Sequence, residues 1–116
     1  MDDPEHKNTE AFKINDIVEY LPKSVVIKSI LRKATGNVIA VSFDSGEILV
    51  GRKSPYDTLI QIIEGNSEII IDDEINLLEA GESIIISAYT SNIIKAKVRF
   101  KMISTIIKSG YEDVIL

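Results

Sequence analysis

Residues 58–87 read TLIQIIEGNSEIIIDDEINLLEAGESIIIS, and the reading of this stretch decides the fold. Short apolar runs (TLIQII, SEIIID, INLL, SIIIS) alternate with the groups EGN, DDE and EAGE. Gly, Asn and Asp tolerate the left-handed and turn conformations that reverse a chain, and each run has strand length. Isoleucine dominates the runs, and a β-branched side chain suits a pleated, half-buried surface. No long window holds a 3.6-residue apolar period, so long helices are not expected.

The same rhythm continues on both sides. Upstream, SVVIKSILRK (24–33) reads as a strand closed by ATGN. VIAVSF (38–43) is closed by DSGE, and ILVGRK (48–53) follows. Gly51 weakens a regular strand and predicts a bulge or a close approach. Downstream of the break AYTSN come IIKAKV and RFKMISTIIK, split near 98–99. Strands spaced by roughly 8–12 residues, with turn signals between, predict a sandwich or barrel. Ahead of them, FKINDIVEYLP offers Phe12, Ile14, Ile17 and Val18 as anchors. It also predicts one short helical turn from Asn15 through Tyr20, ended by Pro22. Residues 1–11 are expected to form a flexible tail, 12–108 one barrel domain, and 109–116 a C-terminal tail. The apolar end of the last segment leaves a second reading open, a strand added to a neighbour's sheet edge.

A chain of 116 residues with 45 % hydrophobic content buries a core without disulfide or metal staples. The net charge is −5, with Lys and Arg scattered along the chain. No nucleic-acid partner is expected, because phosphate neutralisation supplies most of such affinity. The absence of cysteine excludes thiol nucleophiles, iron–sulfur clusters and cysteine zinc sites, and it fits a cytoplasmic setting. The acidic start MDDPEHKNTEAF lacks the features of a signal peptide. No apolar run approaches the roughly 20 residues that span a bilayer. The expected protein is soluble and intracellular, without a membrane partner.

Several strands are apolar at nearly every position, whereas a sheet with one wet face alternates more cleanly. A second buried face is therefore required. Either the sheets cover each other within one chain, or a partner chain covers the outside. A homodimer is the favoured expectation, because an exposed Ile-rich edge is an aggregation hazard.

The segment GEILVGRKSPYDTLIQIIEG (46–65) resembles the first sequence motif of the small single-domain cupins. AGESIIISAYTSNIIKA (80–96) resembles the second, and RFKMISTII (99–107) looks like the last strand of the barrel-only members. The resemblance spans about residues 12–108. It implies an all-β fold, the cupin-type double-stranded β-helix or RmlC-like jelly-roll barrel: two antiparallel sheets around a small pocket. In metal-binding cupins the first motif supplies two His and a Glu, and the second a further His. Here the first His position carries Arg52, the second Ser54 or its neighbour. The Glu position falls near Thr58 and the last His position at Asn92. Guanidinium has no acceptor, and Ser, Thr and Asn are poor ligands for a transition metal. His6, the sole histidine, falls in the expected tail. No metal and no cofactor is expected, and the metal-dependent reactions of the family need that ion. The family's metal-free sugar epimerases need a His base that this core lacks. Residual acid–base chemistry rests on Asp57, Tyr56, Lys or Glu. Asp57 itself reads first as a turn residue that caps local backbone N–H groups.

Strand alternation aims Arg52, Ser54, Thr58, Ile60 and Ile62 inward, with Asn92, Ile94, Phe100 and Met102 facing them. The candidate ligand-binding residues are Arg52, Ser54, Tyr56, Thr58, Asn92 and Met102. Arg52 is a forked donor matched to a carboxylate or a phosphate. Two readings of it stand: anchor for a small organic acid or phosphate, or a residue that pairs with Asp57 or Glu47 or points to solvent. Gln61 inside an apolar strand needs polar partners, in the pocket or at a dimer face. Binding of a small molecule is the leading expectation. A homodimeric interaction module comes second and an enzyme third.

Overall fold

The computed structural model describes residues 10–110. The expectations for His6, for most of the N-terminal tail and for the apolar C-terminal end lie outside the described residues. Nine strands follow one another: β1 Val25–Lys33, β2 Gly36–Phe43, β3 Ile48–Gly51, β4 Asp57–Glu64, β5 Asn66–Ile71, β6 Glu74–Glu79, β7 Ser83–Ile86, β8 Asn92–Lys95 and β9 Phe100–Ile107. One sheet has the order β1-β2-β9-β4-β7 and the other β3-β8-β5-β6. Every pairing is antiparallel. From β2 to β9 the chain crosses between the sheets at most turns, which winds it as the jelly roll expected from the sequence. The two sheets face each other, and no strand pairing links one to the other among the described residues. The molecule is all-β, with its barrel left open along the sheet edges.

Turn chemistry sets the joints. Between β5 and β6 the two loop residues Asp72 and Asp73 both have positive φ, 46° and 68°. This is the demand of a tight hairpin turn whose twist matches its strands. Gly65, with φ 74°, joins β4 to β5. A Cβ there would overlap the Arg99 carbonyl oxygen, so the joint has no room for a side chain.

The main core lies between the sheets, where Val41, Phe43, Ile60, Ile62, Ile69, Ile94, Phe100 and Met102 are all buried. Phe43 and Phe100 are paired across β2 and β9. Their rings stack with centroids 4.4 Å apart and planes 14° from parallel. They fill one end of the sandwich.

A second cluster lies on the outer side of the five-stranded sheet. Ile17 and Val18 from the N-terminal segment pack there on Ile30, Ala40 and Ile103. The segment is pinned by polar contacts. The Asn15 amide donates to the Ile63 carbonyl (3.0 Å), the Tyr20 hydroxyl to Glu64 (2.6 Å), and the Ser42 hydroxyl to the Glu19 carbonyl (2.7 Å). Lys101, mostly buried, donates to the Asn15 carbonyl and lies 3.9 Å from Glu64. The ammonium of Lys101 and the guanidinium of Arg99 lie 4.9 Å and 5.2 Å from the Tyr20 ring centre, within reach of its π face. Part of the second buried face required by the sequence is thus supplied by the chain itself.

Three expectations are corrected. The helical turn is a 3-10 turn over Ile14–Asp16, flanked by Lys13 without a side-chain cap. Asn15 does not begin the turn but lies inside it, one residue after its start, and its amide nitrogen donates to the Ile63 carbonyl. The expected strand 48–53 ends at Gly51, and 93–98 ends at Lys95. After Gly51 the polar residues Arg52 and Lys53 leave the ladder, and after Lys95, Ala96 keeps backbone bonds with Gly46 and Glu47. No helix among the described residues is long and apolar enough to cross a membrane.

Candidate functional site

The end of the sandwich opposite the Phe pair is hollow. A cavity of about 210 Å³ lies there between the sheets. Its walls are Ile27, Ile39, Val41, Leu49, Ile60, Ile86, Ile94, Met102 and Ile106, and its polar groups are Arg52, Ser54, Tyr56, Thr58, Ser87, Thr90, Asn92 and Ser104. All six residues singled out from the sequence, Arg52, Ser54, Tyr56, Thr58, Asn92 and Met102, are on this lining.

The registers explain the gathering. Along β9 the inward positions Met102 and Ser104 stand opposite Val41 and Ile39 of β2 and opposite Ile62 and Ile60 of β4. Thr58 sits between Ile106 and Ile86. On the other sheet Asn92 pairs with Gly51 and with Ile71. A Cβ built on Gly51 would fall 2.5 Å from Asn92 Cγ and Nδ2, and closer still to Oδ1. The bare glycine therefore makes room for the Asn92 amide. Of the bulge or close approach expected at Gly51, the close approach is what the structure has.

The rim is built from two loops tied together. In the loop 52–56 the Ser54 hydroxyl accepts from the Tyr56 backbone N–H (3.1 Å). Across to the loop 87–91, Tyr89 N–H donates to the Ser54 carbonyl (2.6 Å) and Ala88 N–H to the Asp57 carboxylate (2.8 Å). Thr90 closes the second loop by donating to the Ser87 carbonyl (2.6 Å). The turn reading of Asp57 expected local N–H partners; instead Asp57 is the first residue of β4 and accepts from an N–H 31 residues away. Its carboxylate ties the two rim loops together and is absent from the lining.

Strand alternation aims Arg52 inward, whereas its second reading points it to solvent. It stands at the rim and is exposed rather than turned fully inward. The cause is the end of β3 at Gly51, which frees the next residue from strand alternation. Arg52 makes no ion pair among the described residues, so the expected alternatives Asp57 and Glu47 do not neutralise it. Gln61 is exposed and does not line the cavity. Its strand position puts it on the outer face of the five-stranded sheet.

The lining also contains residues that the sequence did not single out: Ile27, Ile39, Ile86, Ser87, Thr90, Ser104 and Ile106. One of them carried a signal. Ser104 is a hydroxyl among the largely apolar residues of β9, next to Thr105, and it is buried.

The donor set answers whether a metal fits. The lining has no His, Cys, Asp or Glu. Among the described residues, no three or more of these side chains are grouped to hold an ion. Arg52, Ser54, Thr58 and Asn92, at the positions where the resemblance puts the ligands, do not suit a transition metal.

No family model matches the chain, and no curated protein matches it. Solved structures do. A conserved protein of unknown function from Streptococcus pyogenes superposes with TM-score 0.85 at 20 % identity, covering 95 % of this chain and 97 % of that one. A cupin superfamily protein from Desulfitobacterium hafniense gives TM-score 0.84 at 20 % identity, covering 94 % and 100 %. A cupin 2 conserved barrel domain protein from Leptotrichia buccalis gives 0.80 at 26 % identity, covering 84 % of this chain and 47 % of that one. The fold of this chain is the cupin fold.

Proposed function

We propose that this cupin-fold chain binds a small polar or anionic organic molecule in the cavity between its sheets, without a metal. A small organic acid or phosphate is the ligand class, with Arg52 as its anchor. One observation carries the reading. A cavity with an apolar floor gathers hydroxyl and amide groups at one end, beside an arginine without an ion pair among the described residues. Such a combination of apolar walls and a few convergent polar groups is the usual form of a small-molecule site. A guanidinium fork is suited to carboxylate and phosphate oxygens.

The size supports a small ligand. A volume of about 210 Å³ lies below the roughly 300–1,000 Å³ of pockets that hold drug-sized ligands. Ser54, Tyr56, Thr58 and Asn92 would hydrogen-bond the polar end of the ligand, and Met102 with the isoleucines would pack its carbon body. Binding is favoured over catalysis because no acid–base pair is on the lining, and the donor set argues against a metal-dependent reaction. A chain without cysteine accords with a cytoplasmic setting.

The test is a thermal-shift screen of metal-free protein with small carboxylates and phosphate esters, repeated with Arg52→Ala. The expected result is a stabilising ligand in one class whose effect is lost in the variant. A response undiminished in Arg52→Ala would overturn the anchor role. Stoichiometric iron, zinc, manganese or nickel in purified protein would overturn the metal-free reading. A second reading, a homodimeric interaction module, is favoured by the apolar outer face of the four-stranded sheet.

A further inference from the structure

The four-stranded sheet has an outer face that nothing among the described residues covers. Inward positions Leu49, Ile94, Ile69 and Leu78 enter the core, so the residues between them point out. Cross-strand registers arrange these in two rows that run over β3, β8, β5 and β6. The first row is Val50, Ile93, Ile70 and Ile75; the second is Ile48, Lys95, Glu68 and Leu77. The flanking side chains stand in solvent, with Ile48 at 56 %, Val50 at 69 %, Ile75 at 62 % and Leu77 at 73 % exposure. A contiguous apolar patch of this kind marks an interaction surface.

We propose that this face pairs with the same face of a second copy of the chain, about a two-fold axis that runs parallel to the strands between β8 and β5. The order of residues in the rows selects this partner and this axis. The rotation exchanges β8 with β5 and β3 with β6 while keeping each row level. Ile93 then meets Ile70 of the second copy, Val50 meets Ile75, and Ile48 meets Leu77. Lys95 meets Glu68 in both directions. A surface that is its own complement under a two-fold is what an isologous dimer requires. Stacked sheets pack face to face with their strands nearly aligned.

The charges fix the register. Lys95 has no ion pair among the described residues of its own chain, whereas Glu68 lies 3.8 Å from Lys97. Within the chain Lys95 already stands opposite Glu68 across β8 and β5, so pairing adds a second carboxylate to Lys95 and a further cation to Glu68. A slip by one strand, or a two-fold perpendicular to the strands, sets these charges against isoleucines and removes the match. Charged groups in an apolar interface act in this way mainly on specificity. The inference is independent of any ligand, because the rows and the cavity lie on opposite faces of the sheet.

The test is sedimentation equilibrium or light scattering of the full chain across a concentration series, with folding checked by circular dichroism. The wild type is expected to form a dimer. Lys95→Glu sets Glu against Glu68, and Glu68→Lys sets Lys against Lys95. Each alone is expected to weaken the dimer by about tenfold or more. Mixed in equal amounts, the two variants are expected to recover a dimer containing one copy of each, read by native mass spectrometry. A general loss of folding could not give that recovery. A wild type that stays monomeric at the highest concentration overturns the proposal. So does a dimer that survives both single variants and Val50→Asp, which would place its interface elsewhere.

Discussion

Gly51 and Asn92 stand opposite each other across β3 and β8, and the Asn92 amide occupies the space where any other residue at 51 would carry its Cβ. Both residues line the cavity. Gly51→Ala therefore acts on the site through its neighbour. The atom in the way is the end of a side chain with rotamers to choose from, so the fold should survive at a cost of about 0.5–1.5 kcal/mol. Ligand-induced thermal shifts should fall with it. Gly65→Ala is the contrasting case. Its φ is 74° and its obstacle is the Arg99 backbone carbonyl, which cannot swing aside. It should lose about 2 kcal/mol or more in urea unfolding.

Filling the cavity separates binding from folding. Ser104 is buried on the lining, and Ser104→Leu pushes a branched side chain into existing space. Stability should change by no more than about 1–2 kcal/mol in either direction. Ligand-induced stabilisation in the thermal-shift screen should disappear. A variant that still responds fully to the ligand would move the binding site out of the cavity.

Truncation at the packed end should do the reverse. Phe43 and Phe100 are completely buried, and their rings are stacked. Phe100→Ala removes a large core side chain and should cost about 3–5 kcal/mol, read from the denaturant midpoint. That is a large share of the ~5–15 kcal/mol typical of a domain. The variant should unfold well below the wild-type temperature while its folded fraction keeps the cavity.

Acid should weaken one surface tie. Both oxygens of Asp44 accept hydrogen bonds: Oδ1 from Arg99 (2.8 Å) and from Ser45 N–H (2.9 Å), and Oδ2 from Lys23 N–H (2.7 Å). These bonds, with that from Arg99 foremost, hold the carboxyl down to about 2. Unfolded, the group takes up its proton near the ordinary value of about 4. The unfolded state thus binds the proton first as pH falls. The contribution of Asp44 is fully present above about pH 4 and lost as pH drops towards 2. Thermal unfolding between pH 5 and 2 should show a shallower loss in Asp44→Asn than in the wild type.

The strands were legible because their signals are local. Isoleucine runs bounded by Gly, Asn and Asp place the edges of β1, β2, β4, β5, β6, β7 and β9 within about two residues of those observed. Period-two alternation from Thr58 to Ile62 and from Asn92 to Ile94 placed those residues on the correct face. What escaped is non-local. Ile39 and Ile86 reach the cavity only because β2 and β7 lie where the sheet order puts them, and a single strand carries no record of its neighbours. The helical turn expected from Asn15 through Tyr20 came out shorter for the same reason: the segment is pinned by distant partners, among them Ile63, 48 residues further along the chain, which accepts from the Asn15 amide. Arg52 was assigned by alternation, but alternation ends where the strand does.

The N-terminal segment laid over Ala40 and Ile103 makes the two backs of this sandwich unequal. The central strands of one are roofed by their own chain, while the other is bare. A body with two greasy backs could add copies indefinitely and grow into a filament. On the pairing proposed above, the roof would halt growth by stacking at a pair. Stripping that roof, for example with Ile17→Asp and Val18→Asp together, would turn a self-limiting molecule into one prone to open-ended association.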